Sequence, residues 1–259
     1  MEHHGGDEGM KTSGNTVLIT GGGTGIGFAL AEALVKADNE VIICGRREAK
    51  LKEAKKQLPQ LHFKICDVAD ERQRRALVSW MSKNFTGMNV LINNAGIQRM
   101  TDFTSGRSNR NVGGDEVDIN LKAPVALCEL FIPMLMKHKQ SAIVNVSSGL
   151  GFCPIAVMPV YCATKAALHS FTVSLRFQLR NTSVKVFEII PPMVDTELDK
   201  GGRDERDQEE RGIPPSEVAV AAMKGFARDE FEIAVGEAQG IKKGALKNPE
   251  ELFRHLNEW

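Results

Sequence analysis

The segment that decides the fold reads Thr16-Val-Leu-Ile-Thr20-Gly21-Gly-Gly-Thr-Gly25-Ile-Gly27. A short β-branched run leads directly into a glycine cluster, and apolar residues at helical spacing follow it as far as Leu34. A buried strand, a tight turn and a helix are therefore predicted in that order. Glycines in such a turn let the backbone approach a pyrophosphate, and the first N–H groups of the helix attract its charge. A tight turn with no ligand is the alternative.

The rest of the chain repeats this alternation of strand and helix. Parallel strands joined by right-handed helical crossovers explain it, and continuous apolar strands fit a sheet covered on both faces. Strands are predicted at Thr16–Thr20, Glu40–Cys44, Leu61–Cys66, Asn89–Ile92, Ala142–Val146, Val184–Ile190 and Phe231–Val235. Helices are predicted at Gly25–Lys36, Glu48–Leu58, Asp70–Phe85, Val117–His138, Val160–Leu179 and Ser216–Phe226. One doubly wound α/β domain of Rossmann type, with a parallel sheet of about seven strands, is expected over residues 10–259.

Composition indicates an ordinary globular protein. The 259 residues are 42% hydrophobic and 25% charged. Lys plus Arg and Asp plus Glu both number 33, so the overall charge favours neither a nucleic-acid partner nor a membrane surface. No apolar run approaches the roughly 20 residues of a membrane helix. We expect a cytoplasmic protein.

Two further features of the composition bear on metals and on the N-terminus. Five cysteines are odd in number and lack the spacing of a zinc site, so we expect neither disulfides nor a metal. The polar, glycine-rich start MEHHGGDEG, residues 1–9, is expected to be a tag remnant or a disordered extension.

A tyrosine and a lysine lie four residues apart, at Tyr161 and Lys165. Residues at this spacing share a helix face, and a neighbouring ammonium favours the phenolate of a tyrosine whose ordinary pKa is about 10. Such a pair can exchange a proton with an alcohol or carbonyl oxygen near neutral pH. Ser148 ends strand five and can polarise a carbonyl oxygen, although Ser147 is an adjacent alternative.

These residues and the Gly-x-x-x-Gly-x-Gly spacing resemble the short-chain dehydrogenase/reductase family. The resemblance extends from about Asn15 to about Gly236. Other family motifs follow in order: Asn93-Asn-Ala-Gly96 after strand four, Asn120 in the fourth helix, and Pro191-Pro-Met-Val-Asp-Thr196 after strand six. The Cys-Gly-Arg-Arg sequence after strand two and the Pro-Pro pair are most similar to the DltE-like oxidoreductases.

The resemblance implies metal-free hydride transfer between a nicotinamide cofactor and a small carbonyl or alcohol substrate, in a homodimer or homotetramer. Tyr161 would be the acid/base, Ser148 would polarise the carbonyl, and Lys165 would lower the tyrosine pKa. Asn120 would hold a water against that lysine. The implied cofactor contacts are Gly21, Gly23, Thr24, Gly25, Ile26, Gly27, Asp67, Val68, Asn93, Ala95, Gly96, Tyr161, Lys165, Pro191, Val194 and Thr196.

Cofactor choice depends on the residues at the end of strand two. An acidic residue there would bind the 2′-hydroxyl of NAD and repel a 2′-phosphate. This chain has Gly45 followed by Arg46 and Arg47, and arginine pairs strongly with phosphate, so NADP(H) is predicted. The alternative is that both arginines belong to a solvated turn and that NAD is used. Asp67, likewise, could cap the next helix instead of contacting adenine.

The substrate side is less defined by sequence. Residues 195–211 carry mixed charge and are expected to form a solvated, mobile lid, in which Arg203 or Arg206 could meet a charged substrate. Residues 98–115 are expected to form a rim loop. Apolar side chains between Ser148 and Tyr161 indicate either a partly apolar pocket or core: they are Phe152, Cys153, Ile155, Val157 and Met158.

Two other classes of protein share parts of this pattern. A non-catalytic NAD(P)-binding sensor would be favoured by a missing tyrosine, lysine or serine, and all three are present. A sugar-nucleotide epimerase or dehydratase would need a different glycine spacing and a longer C-terminal part.

Overall fold

The computed structural model describes residues 9–104, 114–199 and 212–258. Seven strands form one parallel sheet in the order β3-β2-β1-β4-β5-β6-β7. The strands are β1 (Thr16–Thr20), β2 (Glu40–Gly45), β3 (His62–Ile65), β4 (Met88–Asn93), β5 (Ser141–Val146), β6 (Val184–Ile190) and β7 (Glu232–Ala234). The predicted doubly wound α/β fold is therefore confirmed. Strand order reverses between β1 and β4, the point at which such sheets bind ligands.

The helices follow the predicted pattern, with two additional helices at the C-terminus. They are α1 (Gly25–Lys36), α2 (Glu48–Gln57), α3 (Glu71–Asn84), α4 (Gly114–Val117), α5 (Ala123–Leu135), α6 (Pro159–Gln178), α7 (Pro215–Ala227), α8 (Glu237–Lys247) and α9 (Pro249–Asn257). A π-helical turn, Asp118–Lys122, joins α4 to α5, so the long helix predicted at 117–138 contains a bulge. Helices α8 and α9 were not predicted.

The C-terminal helices depend on tertiary contacts that a periodicity argument does not detect. Helix α8 contains two glycines and many lysines, and its buried residue Ala238 packs beside Gly149. Helix α9 begins because the Asn248 side chain accepts from the N–H of Glu251, with Pro249 in the first turn.

Alternating strand side chains enter two apolar layers, one on each face of the sheet. In β1, Val17 and Ile19 pack with α1 and α7, whereas Leu18 packs with α3, α5 and α6. Burial on both faces holds the strands in register, and the parallel arrangement brings their carboxyl ends to one edge.

Some of the predictions concern residues outside the described parts of the chain. These are most of the N-terminal extension, the central part of the rim loop, and residues 200–211 of the proposed lid with Arg203 and Arg206. In the part of the chain that is described, no helix combines the length and hydrophobicity needed to cross a bilayer.

Candidate active site

A cleft of about 1070 Å³ opens at the carboxyl edge of the sheet, beside the reversal in strand order. The glycine loop, the loop after β2, the ends of β4 and β5, and the start of α6 all contribute to it. Most of the predicted site residues line this cleft: Gly21, Gly23, Thr24, Gly25, Ile26, Arg46, Arg47, Asp67, Val68, Ala95, Gly96, Ser148, Tyr161, Lys165, Pro191, Val194 and Thr196. Gly27, Asn93 and Asn120 do not.

The glycine loop has backbone geometry that requires glycine. Gly21 and Gly25 have φ angles of +65° and +55°, in the left-handed region. A Cβ atom on Gly21 would lie 2.9 Å from the Cα atom of Ala95. Gly27 does not line the cleft, and a Cβ there would lie 2.5 Å from the carbonyl oxygen of Gly21. It permits α1 to pack against the loop behind the cleft.

Asn94, which the sequence argument did not single out, joins the glycine loop to β4. Its Nδ2 donates to the carbonyl oxygens of Thr20 and Gly21, at 2.9 and 3.3 Å. The Thr20 hydroxyl oxygen accepts the N–H groups of Asn94 and Ala95, both at 3.0 Å. These bonds set the distance between the two walls of the cleft.

Asn93, which by resemblance supports the adenine side and the central strand, does not line the cleft, and its role toward the cofactor stays a prediction. Its Nδ2 donates to Oδ1 of Asn145 at 2.9 Å and to Sγ of Cys128 at 3.4 Å. Adjacent strand residues face opposite sides of a sheet, which separates the roles of Asn93 and Asn94. Asn93 ties β4 to β5 and α5.

Asp67 faces the cleft and does not cap α3. Its carboxylate accepts the N–H of Ala69 at 3.0 Å. The cap is Asp70, whose Oδ1 accepts the N–H groups of Arg72 and Gln73 at 2.7 and 3.2 Å. The alternative that Asp67 is the helix cap is therefore wrong.

Tyr161 and Lys165 lie together on the buried face of α6. They are 5% and 4% exposed, and the Lys165 Nζ lies 5.6 Å from the centre of the Tyr161 ring. Nζ donates to the carbonyl oxygen of Val146 at 2.9 Å. Burial lowers the pKa of Lys165 to about 8, against an opposing effect of the Glu188 charge. The amine can therefore gain or lose a proton near neutral pH.

Ser148 and Ser147 are distinguished by their hydrogen bonds. The Ser147 hydroxyl donates to Oε1 of Glu188 at 2.5 Å. The Ser148 Oγ accepts the N–H of Leu150 at 3.1 Å, and within the described ranges its own proton has no acceptor. Ser148 is the serine with a hydroxyl proton available for a ligand in the cleft.

Asn120 lies in the π-helical turn, only 1% exposed. Its Oδ1 accepts the N–H of Ile97 and its Nδ2 donates to the carbonyl oxygen of Ile97, both at 2.9 Å. A Cβ atom on Gly96 would lie 3.4 Å from Asn120 Oδ1 and 3.7 Å from Lys165 Nζ. Asn120 thus fixes the loop after β4 next to the lysine. Its predicted contact with a water stays a prediction.

Glu188 forms a buried polar cluster that the sequence argument missed. It is fully buried on β6, and its Oε2 lies 2.8 Å from Nδ1 of His169 on α6. The bond to Glu188 raises the pKa of His169. A carboxylate within the otherwise apolar run Val186-Phe-Glu-Ile-Ile190 was the available signal.

Apolar side chains from two parts of the chain form the wall next to Tyr161. Ile155, Val157 and Met158 line the cleft as expected, together with Ile241 of α8 and Leu256 of α9. Phe152 and Cys153 do not line it, in agreement with the alternative that part of this segment packs in the core. Phe152 instead packs on the His169 ring, with 4.5 Å between ring centres.

The side chain of Asn257 ties helix α9 to the loop beside this wall. The Asn257 Oδ1 accepts the N–H of Ala156 at 2.5 Å, and its Nδ2 donates to the carbonyl oxygen of Pro154 at 3.2 Å. The unpredicted C-terminal helices therefore complete the apolar end of the cleft.

A family model for short chain dehydrogenases matches residues 15–207. The chain belongs to the short-chain dehydrogenase family. It is an NAD(P)-dependent oxidoreductase, and the predicted resemblance is confirmed.

One known relative supports the family of this dehydrogenase, and two solved structures support its fold. The oxidoreductase DltE of Bacillus subtilis is 51% identical over 248 residues, which cover 96% of this chain and 98% of the relative. A short chain dehydrogenase from Burkholderia cenocepacia, in complex with NADP, has a TM-score of 0.82 at 24% identity and covers 95% and 99% of the two chains. A short chain dehydrogenase/reductase from Burkholderia phymatum, in complex with NAD, has a TM-score of 0.82 at 22% identity and covers 92% and 97%.

The cleft of this dehydrogenase fits a nicotinamide dinucleotide. Thr24 makes no side-chain cap to α1, so the first N–H groups of that helix have no capping side chain and stand beside the glycine loop. The glycines leave the space that side chains would fill. No cluster of three or more His, Cys, Asp or Glu side chains able to hold a metal occurs in the described ranges, and all five cysteines are free and buried.

Replacing Lys165 with methionine should stabilise the fold at pH 6. The folded-state pKa of about 8 lies below the ordinary 10.5, so folding disfavours the charged amine. After subtraction of the lost bond to Val146, we expect a gain of about 2 kcal/mol in the free energy of unfolding. Between pH 8 and 10.5 the unfolded chain binds more protons than the folded one, so wild-type stability rises with pH there and the gain disappears.

Urea unfolding at pH 6 and at pH 9 measures both parts of this expectation. Lys52→Met is the control, because Lys52 is an exposed lysine paired with Glu48 on α2. A Lys165→Met protein less stable than the wild type at pH 6 contradicts the assigned burial cost.

Proposed function

We propose that this dehydrogenase catalyses reversible hydride transfer between NADP(H) and a small, mainly apolar carbonyl or alcohol substrate, with Tyr161 as the acid/base. The observation that supports it is the burial of Tyr161 beside Lys165 in the same cleft as the glycine loop. The apolar wall formed by Ile155, Ile241 and Leu256 supports an apolar substrate.

Tyr161 and the side chains around it each have one role in the reduction of a carbonyl group. The nicotinamide, when bound, supplies the hydride that the carbonyl carbon receives. Ser148 donates a hydrogen bond to the carbonyl oxygen and polarises it, and Tyr161 gives its proton to that oxygen as negative charge develops. Lys165 stabilises the phenolate that Tyr161 leaves behind. Oxidation of an alcohol uses the same steps in reverse.

The pocket's basic end supports NADP(H) over NAD(H). Arg46 and Arg47 line the cleft directly after β2, and Lys50 joins them from the first turn of α2. Gly45 stands at the strand end, where it offers no carboxylate to a ribose hydroxyl. A 2′-phosphate would find two guanidinium groups and an ammonium.

A direct test of the function is the absorbance of the reduced nicotinamide. The purified protein would be given NADPH or NADH with a panel of ketones, aldehydes and diketones, both apolar and charged. Turnover of apolar carbonyls with NADPH is the expected result. Faster turnover with NADH, or with anionic substrates only, would overturn the corresponding part of the proposal.

Replacement of Arg47 with glutamine should weaken NADPH binding and leave NADH binding nearly unchanged. A hydrogen bond between charged partners contributes about 1.5–3 kcal/mol, so a ten- to hundredfold rise in the NADPH Kd is expected. Titration calorimetry measures both cofactors. Arg75→Gln on α3 is the control, since Arg75 pairs with Glu71 on the exposed helix surface and does not line the cleft. Equal losses for NADPH and NADH would contradict a 2′-phosphate contact.

Other properties of the dehydrogenase stay predictions. A non-catalytic sensor is the less favoured function, because Ser148, Tyr161 and Lys165 lie in one cleft. The cytoplasmic location, the homodimer or homotetramer and the single-domain organisation of residues 10–259 rest on the sequence argument.

A further inference from the structure

Glu197 occupies the basic end of the cleft. Its Oε2 lies 2.7 Å from Nη1 of Arg47 and its Oε1 lies 3.1 Å from Nζ of Lys50. The other terminal nitrogen of Arg47, Nη2, donates to the Thr24 hydroxyl at 3.2 Å. Glu197 itself lines the cleft, so a carboxylate stands among the cations expected to receive the 2′-phosphate.

The charges in this cluster depend on one another. The hydrogen bond to Arg47 lowers the pKa of Glu197, with Lys50 contributing next. The hydrogen bond between Lys50 and Glu197 raises the pKa of Lys50 in turn. Carboxylate and phosphate oxygens prefer the same donors on arginine and lysine. Two anions bonded to the same guanidinium and ammonium would also repel each other, so a 2′-phosphate at Arg47 and Lys50 competes with the Glu197 carboxylate.

Glu197 comes from a distant part of the chain, the 3₁₀ turn Glu197–Asp199 that follows β6. The preceding residue, Thr196, packs against the glycine loop, where a Cβ on Gly25 would lie 3.0 Å from its methyl group. Thr196 and Leu198 also line the cleft. The Glu197 contacts thus hold the segment after β6 to the loop after β2.

We propose that Glu197 is an internal competitor for the 2′-phosphate: a 2′-phosphorylated nucleotide displaces its carboxylate from Arg47 and Lys50 and releases the turn at 197–199, whereas a nucleotide with a free 2′-hydroxyl leaves it in place. This inference rests on the proposed function in that it concerns the same cofactor end. It adds Glu197 as a residue that determines cofactor specificity. It also adds a coupling between the basic end of the cleft and the segment after β6.

Glu197→Gln should raise NADPH affinity selectively. The variant removes the competing charge and keeps the side-chain length. Exposed ion pairs of this kind are individually weak. Because the variant removes one or two of them, we expect the NADPH Kd to fall about three- to tenfold. The NADH Kd should change less than twofold. Titration calorimetry on the full chain measures both constants without relying on turnover.

The matched control is Glu53→Gln. Glu53 also pairs with Lys50, at 3.4 Å, but it lies on α2, does not contact Arg47 and does not line the cleft. It removes the same charge from nearly the same place. If Glu53→Gln raised NADPH affinity as much as Glu197→Gln, the loss of any nearby negative charge would explain the gain. That result would overturn the role of Glu197 as a competitor.

The outcomes separate this inference from the proposed function. The wild-type ratio of NADPH to NADH affinity tests the proposed cofactor, and the change of that ratio in Glu197→Gln tests the competitor. An unchanged ratio overturns the inference whichever cofactor the wild type prefers. A large loss of NADH affinity in the variant also overturns it, because Glu197 would then be a ribose ligand.

Hydrogen exchange gives a second readout that does not depend on a variant. The N–H of Leu198 donates to the Thr196 hydroxyl at 3.3 Å. Saturating adenosine 2′,5′-bisphosphate should speed amide exchange across residues 196–198, and saturating adenosine 5′-phosphate should not. An equal response to both nucleotides, or to neither, would contradict displacement of Glu197.

Discussion

Tyr161→Phe is expected to lower kcat about a thousandfold with any substrate that the enzyme accepts. A positioned general acid contributes about 10²- to 10⁴-fold, and the phenol is the only tyrosine hydroxyl in the chain. NADPH binding should change only a few-fold, because the ring and its packing next to Lys165 are kept. Stopped-flow absorbance of NADPH measures the chemical step, and calorimetry measures binding.

Cys162→Ser is the matched control for this variant. Cys162 is the next residue on α6, is 2% exposed and does not line the cleft. It should keep kcat within about threefold, since small buried changes affect packing more than chemistry. Turnover by Tyr161→Phe at the rate of Cys162→Ser would remove Tyr161 from the mechanism.

Removal of the Glu188 carboxylate is expected to have the largest effect on stability. Glu188→Ala takes away the acceptor of the Ser147 hydroxyl and the partner of His169, and it leaves a cavity between β6 and α6. Breaking one side of a buried pair costs about 3–5 kcal/mol. We expect a loss of about 3 kcal/mol at pH 6, because His169 is part-exposed and can become neutral. Urea unfolding followed by circular dichroism gives the value.

The chain contains a natural comparison for this pair. Glu40 and His62 form an exposed carboxylate–histidine contact at 3.7 Å, with both side chains nearly half exposed. Glu40→Ala should cost less than about 1 kcal/mol, as exposed ion pairs do. Equal losses for Glu40→Ala and Glu188→Ala would contradict the role of burial.

The Glu188 effect should also depend on pH. The pKa of His169 is raised in the folded state. The contribution of His169 to the free energy of unfolding is therefore complete below its unfolded-state pKa of about 6.5. That contribution is lost as the pH rises through its folded-state pKa. The gap between wild type and Glu188→Ala should therefore narrow as pH rises from 6 to 8. Glu232 and Lys242 also act on the charge of His169. The charge of Lys165 interacts with Glu188, so unfolding of Lys165→Met over the same pH range checks the share of Lys165.

Local sequence was a good guide to the strands and to most of the cleft. The alternation of β-branched runs with helical spacing predicted all seven strands, because a sheet buried on both faces demands apolar residues throughout each strand. The glycine loop was equally readable, since the left-handed φ angles of Gly21 and Gly25 leave few other choices. Helices α8 and α9 were not predicted from the sequence. They are stabilised by contacts with Gly149 and the 154–156 loop more than by their own periodicity.

The sequence by itself determined the family, the fold and the candidate catalytic and cofactor-binding residues at the ends of the strands. Each of these depends on a motif only a few residues long. Only the tertiary structure decided which of two neighbours faces the cleft, as with Asn93 and Asn94, and which carboxylate meets Arg47 across 150 residues of chain. Side-chain direction and long-range pairing depend on how strands and loops pack together. That packing brings Glu197 to the basic end of the cleft, and it brings Glu188 beneath the serines. The local sequence could signal a buried charge at Glu188 but not the partners of either carboxylate.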